Sequence, residues 1–195
     1  MRKNLVPIVL LLISFFSFCS EGSRQKAALP LSDTAKYYPC ADFIREQIRF
    51  VDLRNFNIYR TITIDTKKDS SGITKEVFLG LANGVLMVLE NWNRQKHLYK
   101  ETVFQDLSTN SYTINYTAID PDAKLQRIDI LLNDETNTIK RMFLRENWKL
   151  NDTTYSNQFS WLADQGFQIV SAKNSGEFSH SQTIAIDWNK PSDKE

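Results

Sequence analysis

The 195-residue chain is 42% hydrophobic and 12% aromatic, enough apolar material to bury the core of one ordinary domain. Its 24 basic and 23 acidic residues give a formal net charge of +1, with two histidines and two cysteines. So even a balance offers no electrostatic footprint for nucleic acid, and two cysteines cannot build a disulfide framework.

The chain opens with Met1, Arg2 and Lys3, followed by an uncharged apolar run from Leu5 to Phe18 and then Cys19. A short basic segment, a brief apolar core and an abrupt polar exit make an export signal, shorter than the roughly 20 residues of a permanent span. Over Met1–Gly22 the segment resembles a bacterial lipoprotein signal. The resemblance implies cleavage just before Cys19, a diacylglyceryl group on its thiol, further acylation by a chain such as palmitate, and membrane anchoring in the cell envelope. Phe18 stands where such signals usually carry a small residue, and two alternatives stay open. An ordinary signal peptidase acting after Cys19 or Gly22 would give a secreted or periplasmic product, and an uncut leader would make a helical anchor. The expected division is a signal peptide over 1–18, a lipid-anchored flexible tether over 19–36, a single domain over 37–190 and a disordered tail over 191–195. Without Arg2 and Lys3 the balance is 22 basic against 23 acidic residues.

From Ser20 to Lys36 the composition turns to Ser, Gly, Ala, Lys and Gln with Pro30 and has no periodicity, as expected of a tether. Cys40 then reads as a small buried apolar residue rather than a nucleophile; a disulfide to Cys19 is the rival. After Pro39, the positions Phe43, Ile44, Gln47, Ile48 and Val51 share one helical face, with Asp42 near the start. Phe56–Thr66 alternates as a strand, with Phe56, Ile58, Ile62 and Ile64 on one side. Lys67–Gly72 reads as a polar, glycine-ended turn. Helical spacing returns over Thr74–Asn93, with Val77, Leu81, Val85, Val88 and Trp92 in one stripe and Phe78 and Leu89 beside it. Gly80 and Gly84 weaken this helix by about 1 kcal/mol each relative to alanine and would permit close approach to a sheet; a strand over Ile73–Leu79 is the alternative.

The remaining half is a succession of strand signals: Tyr99–Leu107, Tyr112–Ile119, Leu125–Leu132, Ile139–Trp148, Thr153–Leu162, Phe167–Ala172 and Gln182–Trp188. Turn chemistry separates them at Ser108–Asn110, Asp120–Asp122 and Asn133–Asn137. The spacing predicts an antiparallel meander, since parallel neighbours would need a helix between them. The expected fold is α+β: a strongly curved antiparallel sheet of about six to eight strands with two N-terminal helices packed on its concave face. In element order and aromatic-rich strands this is similar to the half-barrel domains of LolA-type periplasmic lipoprotein carriers, a resemblance that implies an apolar cargo between helices and sheet. A cystatin-like sheet wrapped around a helix is the next candidate.

Few residues suggest chemistry. His97 and His180 have no second ligand at metal-binding spacing and read as exposed or edge residues. Asp120 and Asp122 flank Pro121 as an ordinary turn rather than a calcium loop. No phosphate-cradling glycine loop, serine elbow or zincin motif is present. Trp148, Trp161 and Trp188, with Tyr59, Tyr112, Tyr116 and Tyr155, are read as strand aromatics that pack and pair rather than as a recognition surface. Lys140, Arg141 and Arg145 read as a solvated strand face, and Asn115 and Asn151 begin N-x-Ser/Thr sequences that matter only on a glycosylating route. The expectation is therefore a non-enzymatic envelope lipoprotein lipidated at Cys19. It has no catalytic residue, metal or cofactor, binds an apolar ligand or an envelope protein through residues the sequence does not single out, and leaves its oligomeric state open. A lipid or lipoprotein carrier of LolA type and a secreted hydrolase are the alternatives.

Overall fold

The computed structural model describes residues 37–176 and 178–188. The leader, Cys19, the segment 19–36 and the tail 191–195 lie outside the described residues.

Among the described residues two α-helices and nine strands follow in the order α1 (Cys40–Asp52), β1 (Ile58–Ile64), β2 (Lys67–Ile73), α2 (Lys75–Gln95), β3 (Tyr99–Asp106), β4 (Ser111–Ala118), β5 (Leu125–Asn133), β6 (Ile139–Leu150), β7 (Thr153–Leu162), β8 (Gly166–Asn174) and β9 (Ser179–Asp187). All nine strands form one antiparallel sheet that does not close, in the order β2-β1-β9-β8-β7-β6-β5-β4-β3. Strands β3 to β9 are the expected meander. The last strand pairs with the first, from Tyr59↔Asp187 to Ile64↔Gln182, and so ties both halves of the chain together.

Local chemistry explains the reversals. Asp65, Asn110, Asn137, Asn151 and Asp164 all have positive φ, the left-handed conformation these two residue types tolerate best, and each stands in a hairpin connection. Between β4 and β5 the Asp120–Asp122 segment turns on itself, the Asp122 amide donating to Asp120 Oδ1 at 2.9 Å.

On the helix-bearing face, cross-strand neighbours line up in rows. Ile114, Ile130, Met142, Trp161, Phe167 and Ile186 are successive partners across six strands, and all are buried. α1 buries Ile44, Ile48 and Val51 in the same core, and its buried Gln47 reaches the β7–β8 turn. Gln47 Oε1 accepts from the Asp164 amide at 2.7 Å, and its Nε2 donates to Asp164 Oδ1 at 2.9 Å. α2 runs diagonally over the sheet: at one end Phe78 meets Phe167 and Trp188, with ring centroids 6.1 and 5.6 Å apart, and at the other Trp92 meets Tyr116 at 4.9 Å and Tyr99 at 6.2 Å.

Three expectations need correction. Lys67–Gly72 is not a turn but most of a ninth strand, β2. It pairs with β1 over its whole length, and its polar composition reflects an edge position with little to bury. The second helix exists, but it follows β2, and its buried stripe is Phe78, Ala82, Val85, Leu89 and Trp92 rather than Val77, Leu81, Val85, Val88 and Trp92. The glycines do not mediate close approach either, for a methyl group added at Gly80 or Gly84 would meet nothing within 4 Å.

Candidate functional site

Rotation of the α2 stripe leaves some apolar side chains at the edge of the core and others exposed. Leu81 and Val88 are only half-buried, Val77 is exposed, and Met87 is 63% exposed. Beside this flank lies a cleft of about 520 Å³ between the second half of α2 and the end of the sheet formed by β3, β5, β6 and the β4–β5 turn. Gly84, Met87, Val88 and Trp92 supply the helix wall, and Leu98, Tyr99 and Leu125 the opposite one. The volume is that of a small-molecule site. Gly84 lies on the lining, and a methyl group added there would meet nothing within 4 Å.

Asn91, Gln95, Asp120, Lys124 and Glu146 supply the polar part of the lining, and Glu146 is the buried member. This residue stands at an inward position of β6, two residues beyond Leu144, and is 5% exposed. Burial of a carboxylate requires partners. Lys124 Nζ stands 3.5 Å from Glu146 Oε1, and Asn157 Nδ2 donates to Oε2 at 3.2 Å. The row continues across the sheet, where the Ser171 hydroxyl donates to Asn157 Oδ1 at 2.9 Å. An amide separates the hydroxyl from the carboxylate. It takes up no proton at ordinary pH, so this row orients Ser171 without activating it as a nucleophile. Tyr99 completes the wall, its hydroxyl donating to the Leu125 carbonyl at 2.8 Å. Burial, with the Glu146 carboxylate nearby, holds its phenol above the ordinary value. Among the described residues no acceptor meets the buried Trp92 indole N–H.

A second row lies one step further out. Trp148 and Tyr155 stack with centroids 5.3 Å apart and planes 9° off parallel. Lys124 Nζ lies 4.6 Å from the Trp148 ring centre and Lys173 Nζ 5.9 Å from that of Tyr155. The rings face one another and each also carries an ammonium group, so this pair is a cross-strand column rather than an open stacking platform.

The remaining candidates fall elsewhere. Trp161 and Tyr116 are core residues, and Trp188 is buried just beyond β9. Tyr59 is exposed on β1, and Tyr112 packs against the edge of the core. Both histidines are exposed; His97 lies in the short 3-10 turn after α2, and His180 Nδ1 is 3.8 Å from Asp65 Oδ1. Arg141 and Arg145 are exposed on the outer face of β6, whereas Lys140 is half-buried one position away. Asn115 accepts from Arg127 at 2.9 Å, and Asn151 occupies the β6–β7 turn. Among the described residues no group of three or more His, Cys, Asp or Glu side chains is placed to hold a metal ion, and no helix is long and apolar enough to cross a membrane.

Cys40 is fully buried at the start of α1, and burial pushes its thiol far above the usual range. Tyr116 is raised as well, again mainly by burial, although the Tyr38 amide donating to its hydroxyl at 2.7 Å opposes the shift. Groups whose folded pKa exceeds the unfolded value stabilise fully below the unfolded value and lose that contribution as pH rises past it. Stability to urea should therefore hold through neutral pH and fall above about pH 9, where these two groups ionise in the unfolded chain while burial keeps them protonated in the folded one. Cys40→Ala should lessen that fall. In the folded protein at pH 7.5 the Cys40 thiol should stay silent to a thiol reagent until denaturant is added.

Glu146 and Asn157 were not singled out by sequence reasoning, and Gly84 was read there as a point of close approach to the sheet rather than as part of a cleft. The signal for the first two was parity: Glu146 shares the inward phase of Met142 and Leu144, as Asn157 shares that of Phe159 and Trp161. Comparison of the chain with protein-family models, with curated proteins and with solved structures finds no match.

Proposed function

We propose that this protein is a non-enzymatic lipoprotein of the bacterial cell envelope that holds an apolar ligand in the cleft between α2 and the sheet. The observation that carries the reading is the flank of α2: Met87, apolar and exposed, and Val88, half-buried at the edge of the core, line an open cleft at Gly84 instead of a filled interface. One apolar wall with a few convergent polar groups is the usual design of a ligand pocket. Glu146, Lys124 and the Tyr99 end of the sheet give such a ligand a polar terminus to meet. The carrier reading, in which the ligand is a transported lipid, is favoured by the same flank, because cargo must enter without unfolding the core.

Titration of the full chain with a fluorescent fatty acid, 11-(dansylamino)undecanoic acid, tests the cleft. Saturable enhancement is expected, with binding weakened about tenfold or more in Gly84→Phe, a loss of at least roughly 1.4 kcal/mol. Gly84→Ala serves as the folding control and should raise stability by about 1 kcal/mol. Absence of saturable binding, or equal binding by Gly84→Phe, overturns the reading. The envelope address rests on Cys19 and is tested separately. Cells fed a clickable palmitate analogue should label the wild type and leave Cys19→Ala unlabelled but still exported; equal labelling of both removes the lipid anchor.

A further inference from the structure

The two edges of the sheet differ in a way that bears on self-association. β2 presents Lys67, Lys68 and Asp69, exposed charges of the kind that keep an edge from pairing. β3 carries no such guard at its centre: Val103 is 53% exposed, Phe104 64%, and Leu107 at the adjoining turn 76%. Its backbone is also in phase for pairing. The Ile119 amide donates to the Leu98 carbonyl at 3.0 Å, and the register Tyr99↔Ala118 continues to Asp106↔Ser111. In an antiparallel ladder this gives the even-numbered residues of β3 to β4 and turns the N–H and C=O groups of Glu101, Val103 and Gln105 toward the open edge.

We propose that a second copy of this chain adds to that edge, β3 against β3 in antiparallel pairing about a two-fold axis through Val103. In this register Val103 faces its own counterpart, Thr102 faces Phe104, Glu101 faces Gln105, and Lys100 faces Asp106. The two phenylalanines become diagonal neighbours within reach of each other. Charge complementarity selects the register: the exposed Lys100 meets a carboxylate that the Ser108 and Thr109 hydroxyls already hold in position at 2.7 and 2.9 Å. Each surface is used twice, as a closed isologous dimer requires. Edge-to-edge pairing lengthens the sheet beyond β3 in its own plane, leaving the α2 cleft beside it in each copy.

Sedimentation equilibrium of the full chain in a neutral detergent, at tens of micromolar, should give twice the monomer mass. Val103→Lys, which sets two ammonium groups against each other on the axis, should weaken association at least tenfold while the circular dichroism spectrum stays unchanged. In a Cys19→Ala background, Val103→Cys should form a disulfide-linked dimer under mild oxidation, since antiparallel hydrogen-bonded partners bring Cα atoms to about 5.5 Å. Gln105→Cys should not, because its counterpart is displaced four residues along the strand. A monomeric wild type, including one that carries a foreign polypeptide on this edge, overturns the proposal. So does a dimer that Val103→Lys leaves intact or that cross-links equally through Gln105→Cys.

Discussion

Trp161→Ala should lower the free energy of unfolding by about 3–5 kcal/mol, read as a shift in the urea midpoint. The indole is 1% exposed and stacks on Phe167 with centroids 4.6 Å apart and planes 12° off parallel; Trp188 lies 5.8 Å away. Phe78 of α2 touches the same group through Phe167 and Trp188, and the Trp161 indole N–H points to Gln47 of α1 at 3.5 Å. The ring is therefore where both helices and the β7–β9 strands meet. Alanine there leaves a cavity that neighbours held in a stacked cluster cannot readily collapse into. Trp161→Phe should retain most of the stack and lose the polar contact, costing roughly half as much. Trp148→Ala is the contrast: that ring is half-buried at the outer end of the sheet, so its loss should cost about 1 kcal/mol.

How far the fold was legible varied with how local its determinants are. α1 was readable because its apolar and polar positions separate cleanly: Ile44, Gln47, Ile48 and Val51 are buried, while Arg45, Glu46 and Arg49 are not. α2 was readable as a helix but not in its orientation. With Val77, Phe78, Leu79, Leu81, Ala82, Val85, Leu86, Met87, Val88 and Leu89 nearly encircling it, apolarity alone does not say which flank is covered. That ambiguity also bears on the candidate site, for part of the surplus, Met87 and Val88, lines the cleft. Strands β3 to β9 followed from alternation and from the turn residues between them. β2 did not, because Lys67–Gly72 buries almost nothing and owes its conformation to β1. Nor did the pairing of β9 with β1, a contact between residues more than a hundred positions apart that no local pattern encodes. Glu146 passed unread, although it shares the parity of Met142 and Leu144 and is buried with them.

Gly166→Ala should cost about 3 kcal/mol, at the upper end for inserting one carbon into a filled interior, and thermal unfolding is the direct measure. Gly166 opens β8 opposite Asp187 on β9. A methyl group there would overlap the Ile186 carbonyl oxygen and stand 3.1 Å from Asp187 Oδ1 and 3.3 Å from its Cα. These are mostly backbone atoms, so relief requires the two strands to part. Ile186 is fully buried in the central row, and the Trp188 amide donates to the Gln165 carbonyl at 3.0 Å just beyond the clash. Parting the strands thus also pulls on Trp188, which rests against Phe78 and Trp161. β9 is in addition the seam to β1, so the strain reaches the pairing that joins the two halves of the sheet. Gly80→Ala supplies the opposite sign. Its methyl group meets nothing within 4 Å and gains helix propensity, so stability should rise by about 1 kcal/mol. The two substitutions add the same atom, and only the surroundings of each glycine decide whether the sheet loses or the helix gains.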